Sequence, residues 1–311
     1  MTTYTALTAP TQYVEADGVR FAYRRLGPTR GVPVLFLQHY TGTIDQWDPV
    51  VVDGFAAERP VIVFDNAGVG GSSGTTPEDV AEMTRQALAF INALGLLQMD
   101  LLGFSLGGFI AQEIALGQPD LARRIILASS APQGGEGISR LPGVMQESTK
   151  VSPNERRLYL FFEQTPTSQA AGKAFIERQS RRTVDRVPNT TQASALAQTK
   201  AIVGFGMNPD PGWSRLPRIP HPVLVTNGRH DIMFPTINSY TLSQHLPNAT
   251  LILYPDSGHG SLFQHHDAES RLRQFSSHDA AGGAGSHDHE VHGFAGLEGA
   301  RGQSVLQKKG A

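Results

Sequence analysis

A serine lies between two glycines at residues 103–107, at the end of an apolar run. The run at 99–102 has the composition of a buried strand, and the residues after Gly107 suit the start of a helix. In such a strand-to-helix turn the serine backbone is strained, and Gly103 and Gly107 let the chain approach itself because they lack Cβ atoms. The turn exposes the Ser105 hydroxyl above a helix N-terminus, whose free N–H groups favour negative charge. The motif therefore predicts a nucleophilic serine, and an idle serine in a glycine-rich turn is the alternative.

Buried strands alternate with helices along most of the chain. Continuous apolar runs of strand type occur at 33–37, 60–65, 99–102, 124–128, 222–226 and 249–254. Helical patterns separate them at about 44–57, 77–94, 106–117 and 235–246. This alternation is typical of an α/β fold with a mostly parallel, doubly wound sheet. Residues 12–25, which alternate around a turn at Asp17-Gly18, predict an N-terminal β-hairpin.

The strand pattern stops in the second half of the chain, where helical patterns follow one another without a buried strand. This block predicts a helical cap inserted into the α/β core. The predicted units are the first part of the core (1–133), the helical cap (134–214), the second part of the core (215–275) and a disordered tail (276–311) rich in Gly, Ala, Ser and His. The core is expected to end in a helix at about 266–275 with Phe275 on its apolar face. The adjacent Arg181 and Arg182 are expected on a solvated face.

Composition excludes several classes of function. The sequence has no cysteine, which rules out disulfides, thiolate metal sites and a cysteine nucleophile. A formal net charge of −2 provides no basic field for nucleic acid, and no apolar run approaches the roughly 18 residues that span a membrane. Residues 1–20 lack the pattern of a secretory signal. We expect a cytoplasmic protein that acts on a small-molecule substrate, without nucleic acid or membrane partners; the sequence leaves its oligomeric state open.

A serine hydroxyl becomes a good nucleophile only when a histidine takes its proton and an acid orients that histidine. Among the eleven histidines, His259 follows the last apolar run and has a glycine on each side, so its loop can fold back over Ser105. Catalytic groups of open α/β sheets gather at this carboxyl edge. Asp231 follows the preceding run through a glycine turn and is the predicted acid, although its position also suits a helix cap. Asp256, close to His259 in the chain, is the alternative acid.

The negative charge that develops in acyl transfer needs two N–H donors, which form an oxyanion hole. One donor is expected from Leu106, directly after the serine. The other is expected from Tyr40, in the loop after the first apolar run. Tyr40 also suits the wall of a pocket, and the two roles are compatible.

Residues 12–275 resemble the α/β-hydrolase superfamily, and within it the cofactor-free serine esterase and perhydrolase-like branch. The motifs that carry the resemblance are those at 65–72, 103–107, 228–235 and 258–259. The resemblance implies the α/β-hydrolase fold and a catalytic triad in the chain order Ser105, Asp231, His259. Two departures stand out. Ala67 replaces the arginine usual in the first of these motifs, and Gln38-His39 replaces the His-Gly that often precedes the oxyanion residue.

Neither a cofactor nor a resident metal is expected. The glycine-rich stretch at 68–74 lacks the third glycine and the acidic partner of a dinucleotide site. The histidine-rich stretch at 287–292 lies in the predicted tail, where only adventitious metal binding is expected.

These residues predict a serine hydrolase that cleaves a small or medium carboxylic ester or lactone through an acyl-enzyme on Ser105. Two alternatives use the same triad. In perhydrolysis, peroxide replaces water as the acceptor and gives cofactor-free haloperoxidase activity; in the other, a carbon–carbon bond is hydrolysed. A non-catalytic small-molecule receptor is a further alternative, which an intact triad disfavours. The identity of the substrate depends on the geometry of the cap.

Overall fold

Eight strands form one sheet at the centre of the computed structural model, which describes residues 4–265 and Phe275. In chain order the strands are β1 (Gln12–Ala16), β2 (Val19–Leu26), β3 (Val34–Leu37), β4 (Val61–Phe64), β5 (Met99–Phe104), β6 (Ala122–Ala128), β7 (Val223–Gly228) and β8 (Ala249–Tyr254). Their order across the sheet is β1-β2-β4-β3-β5-β6-β7-β8. β2 pairs antiparallel with β1 and β4, and the other pairings are parallel. The predicted mostly parallel sheet with an N-terminal hairpin is confirmed.

The middle of the sheet is buried on both faces. Every residue of β3, β4, β5 and β7 is buried, which explains why these strands read as continuous apolar runs. The edge strands β1 and β8 contain exposed residues. Because β3 and β5 to β8 run parallel, the loops that follow them emerge at the same edge of the sheet, where ligands of open α/β sheets bind.

Helices connect the strands. In the described residues the α-helices are α1 (Pro49–Ala56), α2 (Val80–Ala93), α3 (Leu106–Gly117), α4 (Leu141–Glu147), α5 (Arg156–Phe161), α6 (Pro166–Ser180), α7 (Gln192–Met207), α8 (Ile237–His245) and α9 (Ser261–Gln264). Aspartate caps begin two of them: Asp48 accepts the N–H of Val50 at 3.0 Å in α1, and Asp79 accepts that of Glu82 at 2.7 Å in α2. None of these helices is long and apolar enough to cross a membrane.

Helices α4 to α7 all lie between β6 and β7, in residues 134–214, which we call the helical insertion. Arg178 of α6 forms an ion pair of 2.6 Å with Asp48, in the loop that follows β3. Ser194 of α7 donates to the carbonyl of Gly68, in the loop that follows β4, at 2.6 Å. The insertion is therefore tied by polar contacts to the same edge of the sheet at which the candidate catalytic residues lie.

A buried ion-pair cluster joins β2, the loop after β3 and the helical insertion. The carboxylate of Asp45 lies 2.7 Å from Arg24 and 3.5 Å from Arg182, and all three side chains are buried. The expectation that Arg182 lies on a solvated face is therefore wrong. Its guanidinium is buried because Asp45 balances its charge and two backbone carbonyls of the N-terminal segment accept its hydrogen bonds. Arg181 is exposed, as expected.

The C-terminal predictions lie mostly outside the described residues. These are the final helix at about 266–275, of which only Phe275 is described, and the tail at 276–311. Phe275 is described: it is helical, partly buried and packed against the hydrophobic core. The guanidinium carbon of Arg124 lies 5.8 Å from the centre of its ring, a cation–π contact.

Candidate active site

Ser105 occupies the turn between β5 and α3 with a φ of 57° and a ψ of −118°, a conformation that residues with a side chain rarely adopt. The N–H of Ser105 donates to the carbonyl of Ala128 at 2.9 Å, which holds the turn against β6. A Cβ on Gly103 would lie 2.5 Å from the carbonyl oxygen of Gly107, and one on Gly107 would overlap the carbonyl of Leu37. Both glycines of the motif are therefore required by close backbone contacts.

The loops after β7 and β8, which carry Asp231 and His259, lie against each other. Gly228 ends β7, and a Cβ there would overlap the backbone at Ser257. The N–H of His230 donates to the carbonyl of Ser257 at 3.0 Å. This close approach brings together an acid and a histidine that are 28 residues apart in the chain.

His259 and Asp231 form a buried hydrogen-bonded pair. His259 Nδ1 and Asp231 Oδ2 are 2.7 Å apart, and the two side chains are 1% and 0% exposed. The other carboxylate oxygen, Oδ1, accepts the N–H groups of Met233 at 2.8 Å and Phe234 at 3.0 Å. The carboxylate is thus held in one orientation. It keeps the imidazole hydrogen on Nδ1 and leaves Nε2 as the acceptor.

Ser105 Oγ and His259 Nε2 are both buried, and neither has a hydrogen-bond partner among the described residues. Both side chains line the same pocket. Unpaired buried polar atoms are uncommon, and these two are the atoms that a nucleophile and its general base use. The structure thus brings the hydrogen-bonded pair and the strained serine to one pocket.

Asp256, the alternative acid, is engaged elsewhere. Its Oδ1 accepts the hydroxyl of Thr165 at 2.5 Å, and this hydrogen bond lowers the pKa of Asp256. The sequence also suited Asp231 to a helix cap. Asp231 accepts the N–H groups of residues 233 and 234, which form a turn before helix α8 and are not part of that helix. Helix α8 begins later, at Ile237.

One of the two predicted oxyanion donors directly follows Ser105 in the chain, and the other lies in a loop that lines the same pocket. Leu106 is the first residue of α3, and Tyr40 lies in the loop after β3, which lines the pocket beside Ser105. No hydrogen bond of the described residues uses the N–H group of Leu106 or Tyr40. Free backbone N–H groups of this kind can donate hydrogen bonds to an oxygen on which negative charge develops.

Helix α7 and the segment before it hold the loop after β3 in place. Thr41 has a φ of 60°, and its N–H donates to Gln198 Oε1 at 2.7 Å. The carbonyl of Thr41 accepts the hydroxyl of Thr190 at 2.7 Å. Thr199 donates to the hydroxyl of Tyr40 at 3.1 Å. The helical insertion therefore fixes the backbone next to the predicted donor, a role that spacing in the sequence does not indicate.

His39 occupies the position at which the resemblance to α/β-hydrolases implies a glycine. Its ring lies 5.1 Å from that of Phe104 and 5.5 Å from that of Phe161, both edge-on. Burial lowers the pKa of His39 to about 3, so its imidazole is neutral. Nδ1 lies 2.8 Å from the carbonyl of Tyr40 and donates to it. The loop accommodates this side chain because the ring packs between two aromatic residues.

The motif at 65–72 is hydrogen-bonded to the loop after β3. Asp65 Oδ1 accepts the N–H of Ile44 at 2.7 Å, and Oδ2 accepts that of Gly71 at 2.8 Å. Burial raises the pKa of Asp65 to about 7. Ala67, at the position of the usual arginine, is buried. The motif therefore links the loops after β3 and β4.

The pocket has a volume of about 190 Å³. Its walls come from the loop after β3, from Ser105, Met233 and His259, and from the helical insertion. The lining residues are His39, Tyr40, Thr41, Gln46, Ser105, Met145, Pro153, Arg156, Arg157, Leu160, Phe161, Met233 and His259. Arg156 and Arg157 could not be identified as pocket residues from the sequence. They belong to the short helix α5, and the residues of so short a helix do not show which way it faces.

Comparison with known proteins places the chain in a family. Residues 32–266 match the family described as the alpha/beta hydrolase fold, and the chain belongs to that family. An alpha/beta hydrolase fold protein from Chitinophaga pinensis is 44% identical, with a TM-score of 0.85 over 88% of this chain and 99% of that one. Est816, described as an N-acyl homoserine lactone degrading enzyme, is 26% identical, with a TM-score of 0.63 over 85% of this chain and 100% of that one. A Mycobacterium tuberculosis protein with the provisional name non-heme bromoperoxidase BpoC is 28% identical over 76% of this chain and 90% of that protein.

Proposed function

We propose that the protein is a serine hydrolase that cleaves a small or medium carboxylic ester or lactone through an acyl-enzyme on Ser105. The observation that carries the proposal is the buried hydrogen bond of 2.7 Å between Asp231 and His259, together with the pocket that His259 and the strained Ser105 both line. A pocket of about 190 Å³ favours small and medium acyl groups.

In the proposed reaction Ser105 Oγ attacks the carbonyl carbon and His259 Nε2 takes its proton. Asp231 holds the ring by Nδ1 and stabilises the imidazolium that forms. Nε2 then donates the proton to the leaving alcohol oxygen, and the carbon–oxygen bond of the ester breaks. Water, deprotonated by the same Nε2, attacks the acyl group and releases the acid and Ser105.

The N–H groups of Tyr40 and Leu106 would stabilise the tetrahedral intermediate. They suit the role because they are backbone donors fixed by the loop and by the start of α3, so they need no reorganisation when charge develops. The helical insertion would act as the cap: it contributes Met145, Leu160 and Phe161 to the pocket wall, where they select the acyl or alcohol group.

Perhydrolysis is the second candidate, favoured by the likeness to the Mycobacterium tuberculosis protein. Hydrogen peroxide would replace water in the second half of the reaction and release a peracid from the acyl-enzyme. The same triad serves both reactions, so they differ only in which acceptor reaches the acyl group on Ser105.

A fluorophosphonate probe tests the proposal. Labelling at Ser105 that is lost in Ser105→Ala supports a serine hydrolase, and an inert protein that still binds small molecules indicates a receptor. A panel of 4-nitrophenyl esters of increasing chain length, with lactones beside them, then defines the substrate class. Peracid formation with added peroxide separates the second candidate from the first.

A further inference from the structure

We propose that the substrate carries a carboxylate in addition to the scissile bond, and that Arg157, with Arg156 beside it, binds this carboxylate in the pocket. The proposal rests on the proposed function and narrows its substrate class. It concerns the two arginines at the start of α5, which differ in chemistry from the apolar residues that the helical insertion also contributes to the pocket wall.

The pocket wall carries two cations and no anion. Arg156 and Arg157 both line the pocket, and no aspartate or glutamate stands among its described lining residues. Asp231 is held behind His259 and does not line the pocket. An arginine stays protonated in proteins, so an excess of positive charge is built into this wall.

Arg157 is held in place by neutral partners. Its Nη1 donates to Gln179 Oε1 at 2.6 Å, and Gln179 donates in turn to the carbonyl of Gln46, which also lines the pocket. No ion pair of the described residues involves Arg157. Arg157 is half-buried; burial lowers the pKa of Arg157, and its charge is one of the influences that lower the pKa of the neighbouring His39. A fixed, uncompensated guanidinium favours an anion that brings its own negative charge.

Arg156 supplies an independent observation. Its Nε is buried and has no hydrogen-bond partner in the described part of the chain. Buried donors without partners are uncommon in folded proteins, and this one belongs to a side chain of the pocket wall. A carboxylate matches such donors because its two oxygens accept several hydrogen bonds, and the planar guanidinium binds it in a two-point geometry.

Two pairs of esters, matched in shape and different in charge, test the proposal. Mono(4-nitrophenyl) glutarate and its terminal primary amide place the group on the acyl side. 4-Acetoxybenzoate and 4-acetoxybenzamide place it on the leaving-group side. In at least one pair, kcat/KM of the wild-type protein should be roughly 10- to 100-fold higher for the acid than for the amide, the range expected for a charge-assisted hydrogen-bonded pair. Equal values in both pairs would overturn the proposal.

Variants locate the preference. In Arg157→Gln the acid-to-amide ratio of kcat/KM should fall to about one, and Arg157→Lys should keep part of it because the charge remains. Arg181→Gln is the matched control, since Arg181 is an exposed cap arginine, and it should leave the ratio unchanged. A ratio that survives in the double variant of Arg156 and Arg157 would refute the assignment. If Arg157→Gln melts too low to assay, the acid-to-amide ratio of kcat/KM is measured in Arg157→Lys and Arg156→Gln. A reduced ratio in these variants supports the assignment, and an unchanged ratio in both refutes it.

A binding measurement separates this proposal from the proposed function. Calorimetry with 4-hydroxybenzoate and 4-hydroxybenzamide on Ser105→Ala requires no turnover. Tighter binding of the acid, lost on adding Arg157→Gln, supports the carboxylate site even if no ester is hydrolysed. Ester turnover together with equal binding of acid and amide would leave the serine hydrolase standing and remove the carboxylate site.

Discussion

Replacing Asp231 by asparagine tests how the acid controls the histidine. Asp231 Oδ1 accepts two backbone N–H groups, from Met233 and Phe234, so the amide oxygen of asparagine must take this position. The NH₂ group then faces Nδ1 of His259 and donates to it, which moves the ring hydrogen to Nε2. An Nε2 that carries hydrogen cannot take the proton of Ser105. The substitution should therefore remove the base while the shape of the site is kept.

We expect Asp231→Asn to lower kcat by about 10⁴-fold, or about 5 kcal/mol of transition-state stabilisation, the size of effect seen when the same change is made in a Ser-His-Asp triad. KM should change little, because Asp231 does not line the pocket. Kinetics with 4-nitrophenyl acetate, with a thermal melt beside them, measure both quantities. Asp256→Asn is the control, since its carboxylate binds Thr165. A folded Asp231→Asn protein within tenfold of wild-type kcat would refute the reasoning, and loss of activity in the Asp256 variant would move the acid role there.

Three further changes test the supports of the site. Gly107→Ala should destabilise the fold by about 2–4 kcal/mol in urea unfolding, because the new Cβ overlaps the carbonyl of Leu37; unchanged stability would contradict the close contact. Gln198→Ala should lower kcat about tenfold with little change in KM, because the N–H of Thr41 loses its acceptor; a change in KM alone would assign Gln198 to substrate binding. His39 has a pKa of about 3 when folded and 6.5 as a free group, so its contribution to stability should fall by up to about 1.4 kcal/mol per unit as pH falls from 6.5 towards 3. The raised pKa of Asp65 acts in the opposite direction in both proteins, so the test is the difference in stability between wild type and His39→Gln, which should change with pH by this amount in melts between pH 7 and 4; a constant difference would argue against a buried neutral imidazole.

The sheet could be predicted because its central strands are buried on both faces. The sequences of β3, β4, β5 and β7 are largely uninterrupted apolar runs. A short run of this kind is typical of a strand that is buried on both faces of a parallel sheet. The hairpin of β1 and β2 was predicted from its alternation and its Asp-Gly turn, which the structure places at a positive φ on both residues. The fold class therefore followed from local patterns alone.

The residues of the candidate site could be proposed because each follows a strand. Ser105, Asp231 and His259 come after β5, β7 and β8, and the parallel sheet brings those strand ends to one edge. Their roles stay proposals, which the substitutions above address.

Contacts between distant segments could not be predicted. From the sequence alone Arg182 is expected at the surface. It is buried because it packs against Asp45, which is distant in the chain. Arg157 likewise lines the pocket, and its hydrogen bond to Gln179 on the next helix joins residues that are distant in the chain. Periodicity shows which face of a long helix is apolar, but it does not show where a short helix such as α5 lies in the fold.

Covalent chemistry at Ser105 is tested most directly by the mass of the protein quenched in acid during turnover of 4-nitrophenyl acetate. A fraction of the protein should carry one acetyl group, on the peptide that contains Ser105. This fraction should disappear once the ester is consumed and should be absent in Ser105→Ala. Turnover by Ser105→Ala at the wild-type rate, or an acetyl group on another residue with Ser105 unmodified, would show that Ser105 is not the nucleophile.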